Sequence, residues 1–306
     1  MLSIKHYISK PKSAAISVLE HFGLWLPDKI YLKWMFRLRM GKKLNLRNPQ
    51  TFSEKLQWLK LYNRRPEYTT MVDKYTVKNY VAKIIGDKYI IPTLGVWDKP
   101  EDIDWDSLPE KFVLKTTHGG GSTGVVICRD KATFDRENAI KRLKYSLEND
   151  DIYCTLKEWP YKNVVKRIIA EKYIEPRPET NDLPDYKFFC FNGEPKYCQV
   201  ISGRGTKMCI DFFDHEWNHQ PFHEPRKYPF ADVEPPKPKY YEKMWDLSNK
   251  LAQDKVFSRI DFYEVGDKVY FGEITFYPTS GFGGFEPSNY DTIIGQLLQL
   301  PTKYNY

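Results

Sequence analysis

The segment from Phe112 to Ile127 reads FVLKTTHGGGSTGVVI, and the interpretation of the whole sequence starts from it. Apolar and β-branched residues at its two ends predict short strands over 112–115 and 125–128. Between these strands, four glycines lie within six residues, from Gly119 to Gly124. Glycine loses more conformational entropy on folding than any other residue, so this density indicates that the backbone must approach a ligand closely.

The glycine loop matches several known patterns, and its surroundings exclude most of them. The dinucleotide fingerprint G-x-G-x-x-G and the nucleophile elbow G-x-S-x-G both lead into a helix, whereas here a strand follows. The overlapping HGGG oxyanion loop is a separate element from the elbow in an esterase, and no lysine follows Gly124 as a Walker motif requires. A protein kinase also needs H-R-D-x-x-x-x-N and D-F-G, and neither string occurs. The remaining interpretation is a glycine hairpin over nucleotide phosphates, preceded by Lys115.

A second group of polar residues, near the other end of the sequence, provides candidate metal ligands. Arg259 and Asp261 alternate on one predicted strand, and Glu273 and Thr275 alternate on the next. Alternate residues of a strand share a face, and pairing of the two strands brings Asp261 close to Glu273. Two such carboxylates beside a nucleotide are typical of a Mg²⁺ site, and Arg259 would lie over a γ-phosphate or an acyl phosphate. An exposed hairpin with solvated charges is the competing interpretation.

These motifs together resemble the ATP-grasp superfamily over residues from about Asp73 to Gly284. The residues concerned are the glycine segment, IIAEKYIE at 168–175, RID at 259–261 and GEITFYP at 272–278. More narrowly, N-P-x-T-F-S-E-K-L-x-W at 48–58 and EITFYPTSGFGGF resemble the TupA-like ATP-grasp proteins, which are found with teichuronopeptide and capsular polysaccharide synthesis. The resemblance implies an α+β protein with the ATP-grasp fold, in which two α/β subdomains with antiparallel sheets grip ATP, plus a basic helical N-terminal region.

The resemblance also implies which residues bind ATP and Mg²⁺. Lysines would contact phosphate oxygens, loop amides would cover the phosphates, and the segment from Glu171 to Ile174 would form the adenine hinge. Thr275 stands where the family has an asparagine ligand, which leaves the number of Mg²⁺ ions open. The implied catalytic residues are Arg259, Lys187 and His118, and the implied metal ligands are Asp261, Glu273 and Thr275. The implied nucleotide-binding residues are Lys74, Lys115, His118, Gly119, Gly120, Gly121, Ser122, Thr123, Glu171, Lys172, Tyr173, Ile174, Glu175 and Lys187.

By this resemblance the chain is an ATP- and Mg²⁺-dependent carboxylate–amine ligase that acts through an acyl phosphate. It would join an amino acid or peptide to a uronic acid of a bacterial surface polysaccharide, with no nucleic-acid partner. Two other classes stay open. One is a polysaccharide-modifying kinase or glycosyltransferase-like enzyme of capsule synthesis, and the other is a non-catalytic scaffold with a relic nucleotide site.

Composition and length agree with a large soluble enzyme. The chain has 306 residues, enough for two or three subdomains. Its five cysteines form no C-x-x-C pair, which argues against a disulfide framework or a zinc knuckle. We expect no membrane helix, because no apolar run approaches about 18 residues. We expect no signal peptide, because charges are spread through the N-terminal segment and no uninterrupted apolar stretch precedes a small-residue cleavage site. The expected location is the cytoplasm.

The positive charge of the chain lies in its first 48 residues. This segment contains ten Lys and Arg against Glu20 and Asp28, a net charge of +8, so the rest of the chain carries −1. Aromatic and apolar residues are interleaved with these charges between Trp25 and Phe36. Three interpretations stay open: a helical hairpin packed on the body with a solvated basic face, contact with an anionic membrane surface at the inner face of the membrane, or binding of an acidic polymer.

A histidine series offers a different metal site. His215, His219 and His223 recur every four residues, which on a helix would align three ligands. Pro221 would interrupt such a helix, so hydrogen-bonding or substrate-facing roles are favoured.

Periodicity, caps and turns predict the element order and a division into four parts. Thr51 and Glu54 form a capping box, and Asn192-Gly193 and Gly266-Asp267 predict hairpin turns. Predicted helices are 51–63, 73–85, 135–148, 240–253 and 289–298; predicted strands are 89–92, 94–97, 112–115, 125–128, 164–174, 185–191, 195–202, 207–213, 257–263 and 268–275. The predicted parts are a basic arm at 1–50, an N-terminal α/β subdomain at 51–107, a lid with the glycine loop at 108–175 and a catalytic subdomain at 176–306.

Overall fold

Two antiparallel sheets organise the computed structural model, which describes residues 11–176, 183–203, 207–224 and 228–302. The four-stranded sheet has the order β1-β4-β2-β3, and the five-stranded sheet has the order β7-β6-β5-β8-β9. The strands are β1 Thr93–Trp97, β2 Phe112–Thr116, β3 Val125–Cys128, β4 Ile168–Lys172, β5 Asp185–Phe191, β6 Glu194–Ser202, β7 Cys209–Phe213, β8 Phe257–Val265 and β9 Lys268–Thr275. The helices are α1 Pro11–Phe22, α2 Asp28–Met40, α3 Phe52–Tyr62, α4 Glu67–Val72, α5 Thr76–Ile85, α6 Arg136–Asn149, α7 Ile152–Leu156, α8 Tyr241–Ala252 and α9 Tyr290–Leu297.

The four-stranded sheet has its own small core. Alternate residues of β2, Phe112 and Leu114, are fully buried and form this core with Ile168 and Ala170 of β4. Helix α6 covers the same face through residues that include Leu143. The glycine loop therefore extends from a hairpin that is anchored at its base by a packed helix.

The five-stranded sheet is covered on both faces and forms the larger core. Successive side chains of a strand point to opposite faces. Accordingly, Phe188 of β5 packs on Trp245 of α8, whereas Phe191 packs on Phe52 at the start of α3. The predicted capping box is present at that start, because the Thr51 hydroxyl accepts a hydrogen bond from the Glu54 amide. Both sides of this sheet are therefore fixed before any ligand binds.

Helix α2 joins the basic arm to the larger core. Tyr31, Leu32, Met35 and Phe36 lie on one side of α2 and are fully buried. Helix α2 thus packs on the body as the hairpin interpretation expects, whereas the role of the arm stays open; residues 1–10 lie outside the described part of the chain.

Several predicted element boundaries are wrong. Residues 89–92 form no strand, because a 3-10 turn spans Asp87–Tyr89 and β1 begins only at Thr93. The helix predicted to begin at Asp73 begins at Thr76, since the Asp73 carboxylate accepts hydrogen bonds from the next amides as a turn. The long predicted strand 164–174 is shortened to Ile168–Lys172, and the strand 207–213 to Cys209–Phe213.

The predicted division into four parts stays a prediction. The pairing of β1 with β4 places residues 93–97 in the sheet that carries the glycine loop. Helices α3 to α5 contribute apolar residues to the larger core instead. Among the described residues, no helix is both long enough and apolar enough to cross a bilayer.

Candidate active site

Three neighbouring strands of the five-stranded sheet bring the predicted catalytic and metal residues together, with the exception of His118, which lies under the glycine loop. In the register of β8 and β9, Asp261 lies opposite Glu273 and Arg259 lies opposite Thr275. In the register of β5 and β8, Lys187 lies opposite Asp261. The hairpin predicted from Gly266-Asp267 is thus confirmed, together with the pairing of the two carboxylates.

Arg259 connects the members of this cluster. Its Nε and Nη2 atoms donate to the two carboxylate oxygens of Asp261 at 2.8 and 2.7 Å. The same Nη2 donates to Oε1 of Glu273 at 2.7 Å and to Oγ1 of Thr275 at 3.1 Å. Lys187 donates to Asp261 and lies 2.7 Å from Oδ2 of Asp185. Two cations and three carboxylates therefore share one region of the sheet.

The carboxylates of the cluster have different electrostatic environments. Burial raises the pKa of Asp261, and Arg259 and Lys187 counter this rise. The pKa of Glu273 lies well below its ordinary value, because Arg259, Lys187 and Lys74 together outweigh the opposing effect of burial. Glu273 is also the more accessible of the two, with 44% of its side chain exposed compared with 1% for Asp261. Glu273 is therefore ionised and open toward a ligand.

The donor set fits a Mg²⁺ ion that is shared with nucleotide phosphates. Asp261 and Glu273 supply hard carboxylate oxygens, and Mg²⁺ in such sites is commonly bound by one or two carboxylates, phosphate and water. Within the described ranges, no group of three or more His, Cys, Asp or Glu side chains could hold an ion by itself. The hydroxyl of Thr275 donates to Glu273 at 3.0 Å, so it positions that carboxylate in this structure.

Two lysines flank a buried carboxylate in the four-stranded sheet. Glu171 of β4 lies opposite Val113 of β2, and its oxygens are 2.5 Å from Lys78 and 2.6 Å from Lys115. Burial raises the pKa of Glu171, but Lys115 and Lys78 outweigh it and lower the value to about 2. The side chain of Glu171 is thus committed to the lysines in this structure, and Lys115 is held near the base of the glycine loop.

The glycine loop is fixed at its base and exposed at its tip. The Thr116 amide donates to Gly124 O at 3.0 Å, which closes the hairpin. Lys74 approaches from outside the loop: its amide donates to Thr117 O at 3.0 Å and its Nζ donates to Gly119 O. From Gly120 to Thr123 the residues are exposed. The predicted phosphate-binding amides of Gly121, Ser122 and Thr123 therefore lie at an accessible tip, and Lys74 is placed beside the loop.

His118 lies under the loop. Its Nε2 is 3.2 Å from the carbonyl oxygen of Ser146 in α6, and its Nδ1 is buried without a partner among the described residues. Burial, followed by the charge of Lys166, lowers the pKa of His118, so the ring is neutral near pH 7. A neutral ring that donates through Nε2 to Ser146 leaves Nδ1 as an acceptor. This placement favours a role in holding the loop on α6.

The predicted adenine hinge follows the end of β4. The Lys172 amide donates to Pro92 O at 3.0 Å, and Arg129 donates to the Tyr173 hydroxyl at 3.3 Å. Ile174 is partly buried, and Glu175 forms an exposed ion pair with Lys111 at 2.7 Å. Residues 173–175 follow β4, and the role of the segment as an adenine hinge stays a prediction.

The three histidines of the series do not point to a common metal site. His215 contacts Glu242 at 2.9 Å, and His219 contacts Asp211 at 2.9 Å. The Nδ1 atom of His223 lies 2.9 Å from Glu224 O. Each ring thus has its own hydrogen-bond partner, as the presence of Pro221 led us to expect.

Sequence reasoning missed a buried polar cluster beside the catalytic strands. Lys60 of α3 donates to Leu156 O at 2.8 Å and to O and Oγ of Ser280 at 2.8 and 2.7 Å. Burial lowers the pKa of Lys60 and raises that of Glu158, and the two charges oppose these shifts. The positive charge of Arg259 also lowers the pKa of Glu158, which places the cluster next to the site. The signal was the lysine within the otherwise apolar side of α3, LQWLKLYN.

A carboxylate pair beside an arginine and a lysine, in a chain that also has a glycine hairpin preceded by a lysine, is typical of the ATP-grasp ligases, which use ATP to form amide or peptide bonds. Residues 54–299 match the family model described as TupA-like ATP-grasp, so the chain belongs to the TupA-like ATP-grasp family. No curated protein matches the sequence.

Solved structures similar to this chain include other ATP-grasp proteins. A D-alanine–D-alanine ligase from Helicobacter pylori is 16% identical, with 83% of this chain and 70% of that chain covered and a TM-score of 0.43. One from Bacillus anthracis complexed with ATP is 17% identical, with coverages of 68% and 54% and a TM-score of 0.39. A RimK domain protein from Sphaerobacter thermophilus is 12% identical, with coverages of 78% and 70% and a TM-score of 0.41. At these values the family assignment rests on the sequence match.

Proposed function

We propose that this ligase joins an amino acid or peptide to the carboxylate of a uronic acid in a bacterial surface polysaccharide. The observation that supports carboxylate activation is the contact of Arg259 with both Asp261 and Glu273, one strand away from Lys187. The family match covers residues 54–299. The substrate class is supported only by the resemblance to TupA-like proteins found with teichuronopeptide and capsular polysaccharide synthesis.

The proposed reaction has two steps in which the protein mainly positions and stabilises charge. A carboxylate oxygen of the sugar attacks the γ-phosphorus of ATP, and the bond to the β,γ-bridging oxygen breaks to release ADP. The amine nitrogen then attacks the carbonyl carbon of the acyl phosphate. Inorganic phosphate leaves and the nitrogen loses a proton, which yields the amide.

The residues of the site have separate roles in this proposal. Lys74, Lys115 and Lys187 contact phosphate oxygens as point charges, and the loop amides cover the phosphates. Arg259 stabilises the charge that develops on the acyl phosphate. Asp261 and Glu273 would hold Mg²⁺, which, when bound, supplies neutralisation of phosphate charge. Residues 171–175 contact the adenosine.

A cytoplasmic location is part of the proposal. All five cysteines are free thiols, which is usual for a reducing compartment. ATP, the proposed energy source, is likewise cytoplasmic.

The experiment is a screen of uronic acids against amino acids in the presence of Mg²⁺ and ATP. We expect one combination to release ADP and phosphate in equal amounts and to give an amide detected by mass spectrometry. A phosphosugar and ADP without free phosphate would identify a kinase instead. If isothermal titration shows no Mg²⁺-dependent binding of ATP, the site is a relic and both enzymatic functions are excluded.

A further inference from the structure

The helical arm carries a concentrated group of exposed large apolar residues. Trp25 is 94% exposed and Phe22 is 77% exposed, and both lie at the connection between α1 and α2. On α2, Trp34 is 58% exposed and Ile30 is 44% exposed. Single exposed apolar residues are ordinary, but a group of large ones in one short segment marks an interaction surface.

Cationic residues run beside this apolar group on the same side of α2. Residues four positions apart lie above one another on a helix, so Ile30 and Trp34 form one row and Lys29, Lys33 and Arg37 form the next. All five are exposed. The opposite side of α2 packs into the core through residues such as Tyr31 and Met35. Helix α2 is therefore fixed to the body while it presents mixed apolar and cationic rows outward.

The positive charge of these rows is not compensated locally. Glu20 pairs with Arg39 at 2.7 Å, and Asp28 pairs with Arg64 at 2.5 Å. In the described ranges, no acidic side chain forms an ion pair with Lys29, Lys33 or Arg37. The outward surface thus remains cationic while the acidic groups of the arm are engaged elsewhere.

We propose that Phe22, Trp25, Ile30, Trp34, Lys29, Lys33 and Arg37 form a docking face for an anionic lipid bilayer surface. Tryptophan is enriched at membrane interfaces because its ring is apolar and its N–H is polar. Cationic residues beside it are attracted to anionic headgroups. An amphipathic helix with this arrangement lies in the plane of the interface. This proposal does not depend on the reaction of the active site.

The test uses the full chain and sedimentation with phosphatidylcholine vesicles, with and without phosphatidylglycerol. We expect binding to the anionic vesicles to exceed binding to neutral ones by on the order of tenfold or more, and to weaken as salt is added. The double variant Trp25→Ser/Trp34→Ser should abolish binding. The triple variant Lys29→Gln/Lys33→Gln/Arg37→Gln should remove the preference for anionic lipid. The matched control Val233→Ser, which alters another highly exposed residue outside the arm, should leave binding unchanged.

Four outcomes would overturn the proposal. The first is no binding to either vesicle, and the second is binding that both arm variants retain. The third is self-association, seen by light scattering, that the tryptophan variant abolishes, because the occupant would then be a second copy of the chain. Binding to an acidic polysaccharide in place of vesicles, unaffected by loss of the tryptophans, would also assign the face to a polymer. Circular dichroism confirms that each variant is folded.

Discussion

At the scale of single residues, Asp261 depends most on its surroundings. It accepts two hydrogen bonds from Arg259 and a further one from Lys187, and its side chain is almost completely buried. A buried carboxylate is tolerated only when cations and hydrogen bonds compensate its lost hydration. A charged ligand that binds beside Asp261 must therefore change the contacts of Asp261 with Arg259 and Lys187.

The substitution Asp261→Asn tests the metal assignment. The side chain keeps its shape and loses its charge, so we expect turnover to fall at least about a hundredfold while the fold is retained. The measurement is Mg²⁺-dependent release of ADP, with circular dichroism to verify folding. Asp246→Asn on the exposed side of α8 is the control. Full activity of the Asp261 variant would rule out Asp261 as a ligand.

The lowered pKa of Glu171 predicts how the free energy of unfolding changes at low pH. Its pKa is about 2 in the folded protein, below the ordinary value of 4.5. The folded state therefore binds fewer protons than the unfolded state between these values, so the contribution of Glu171 is complete above pH 4.5 and is lost as the pH falls toward 2. The variant Glu171→Gln should be less stable by roughly 3 kcal/mol at pH 7, because Lys78 loses its buried partner.

Urea denaturation at pH 7 and at about pH 3 measures this difference. The gap in free energy of unfolding between the wild type and Glu171→Gln should shrink at the lower pH. Glu175→Gln, which removes only an exposed ion pair, should change stability by less than about 1 kcal/mol. A gap that stays constant with pH would show that the charge of Glu171 is not the cause.

At the scale of secondary-structure elements, the glycine loop combines two different constraints. A Cβ on Gly124 would lie 2.0 Å from Oγ1 of Thr116 and 2.5 Å from Oγ of Ser146. Gly121 has a φ of +65°, and a Cβ there would contact nothing within 4 Å. Gly124, at the base of the loop, is therefore required because there is no room for a side chain. Gly121, at the tip, is required because its backbone conformation is left-handed.

Two alanine substitutions distinguish these constraints. Gly124→Ala should lower the free energy of unfolding by about 1–3 kcal/mol, because the methyl group displaces Thr116 or Ser146. Gly121→Ala should cost only about 1 kcal/mol, because it merely disfavours the left-handed conformation. Thermal unfolding and the Kd for ATP measure both variants. Equal destabilisation would mean that the packing against Thr116 is not the reason for Gly124.

The elements that the sequence predicted well are those with local signals. The capping box of α3 and the turn between β8 and β9 were predicted correctly because their residues determine their conformation directly. The strand around Ile168 was predicted too long, because a ladder ends where its partner strands end, and β2 ends at Thr116. The contact of Lys60 with Ser280 was missed, because it joins residues 220 positions apart that no local pattern relates.

At the scale of the whole molecule, polar contacts from two lysines attach the glycine loop and α7 to elements of the larger core. Lys74 holds the glycine loop from the side of the helices that belong to the larger core. Lys60 connects α3 to the end of α7 and to the turn at Thr279 and Ser280, both of which have left-handed backbone conformations. Movement of the glycine loop or of α7 relative to the larger core would therefore strain or break these contacts.

The variant Lys60→Met tests the second connection. Methionine fills similar space but leaves Leu156 O without its lysine donor, Ser280 O with the Gln57 amide as its other donor, and Glu158 without its cation. We therefore expect a loss of roughly 3 kcal/mol or more in stability. Urea denaturation measures the loss, and Lys83→Met on an exposed face is the control. A variant as stable as the wild type would show that the cluster does not stabilise the attachment of α7 and the Ser280 turn to α3.

One cysteine of the natural sequence is accessible enough to carry a fluorescent label. Four of the five cysteines are buried, and Cys154 on α7 is partly exposed beside the junction of the sheets. Burial raises the pKa of Cys154, so a maleimide would react faster at mildly alkaline pH. A fluorophore attached there would report how the glycine-loop sheet moves when ATP is added, without any engineered cysteine.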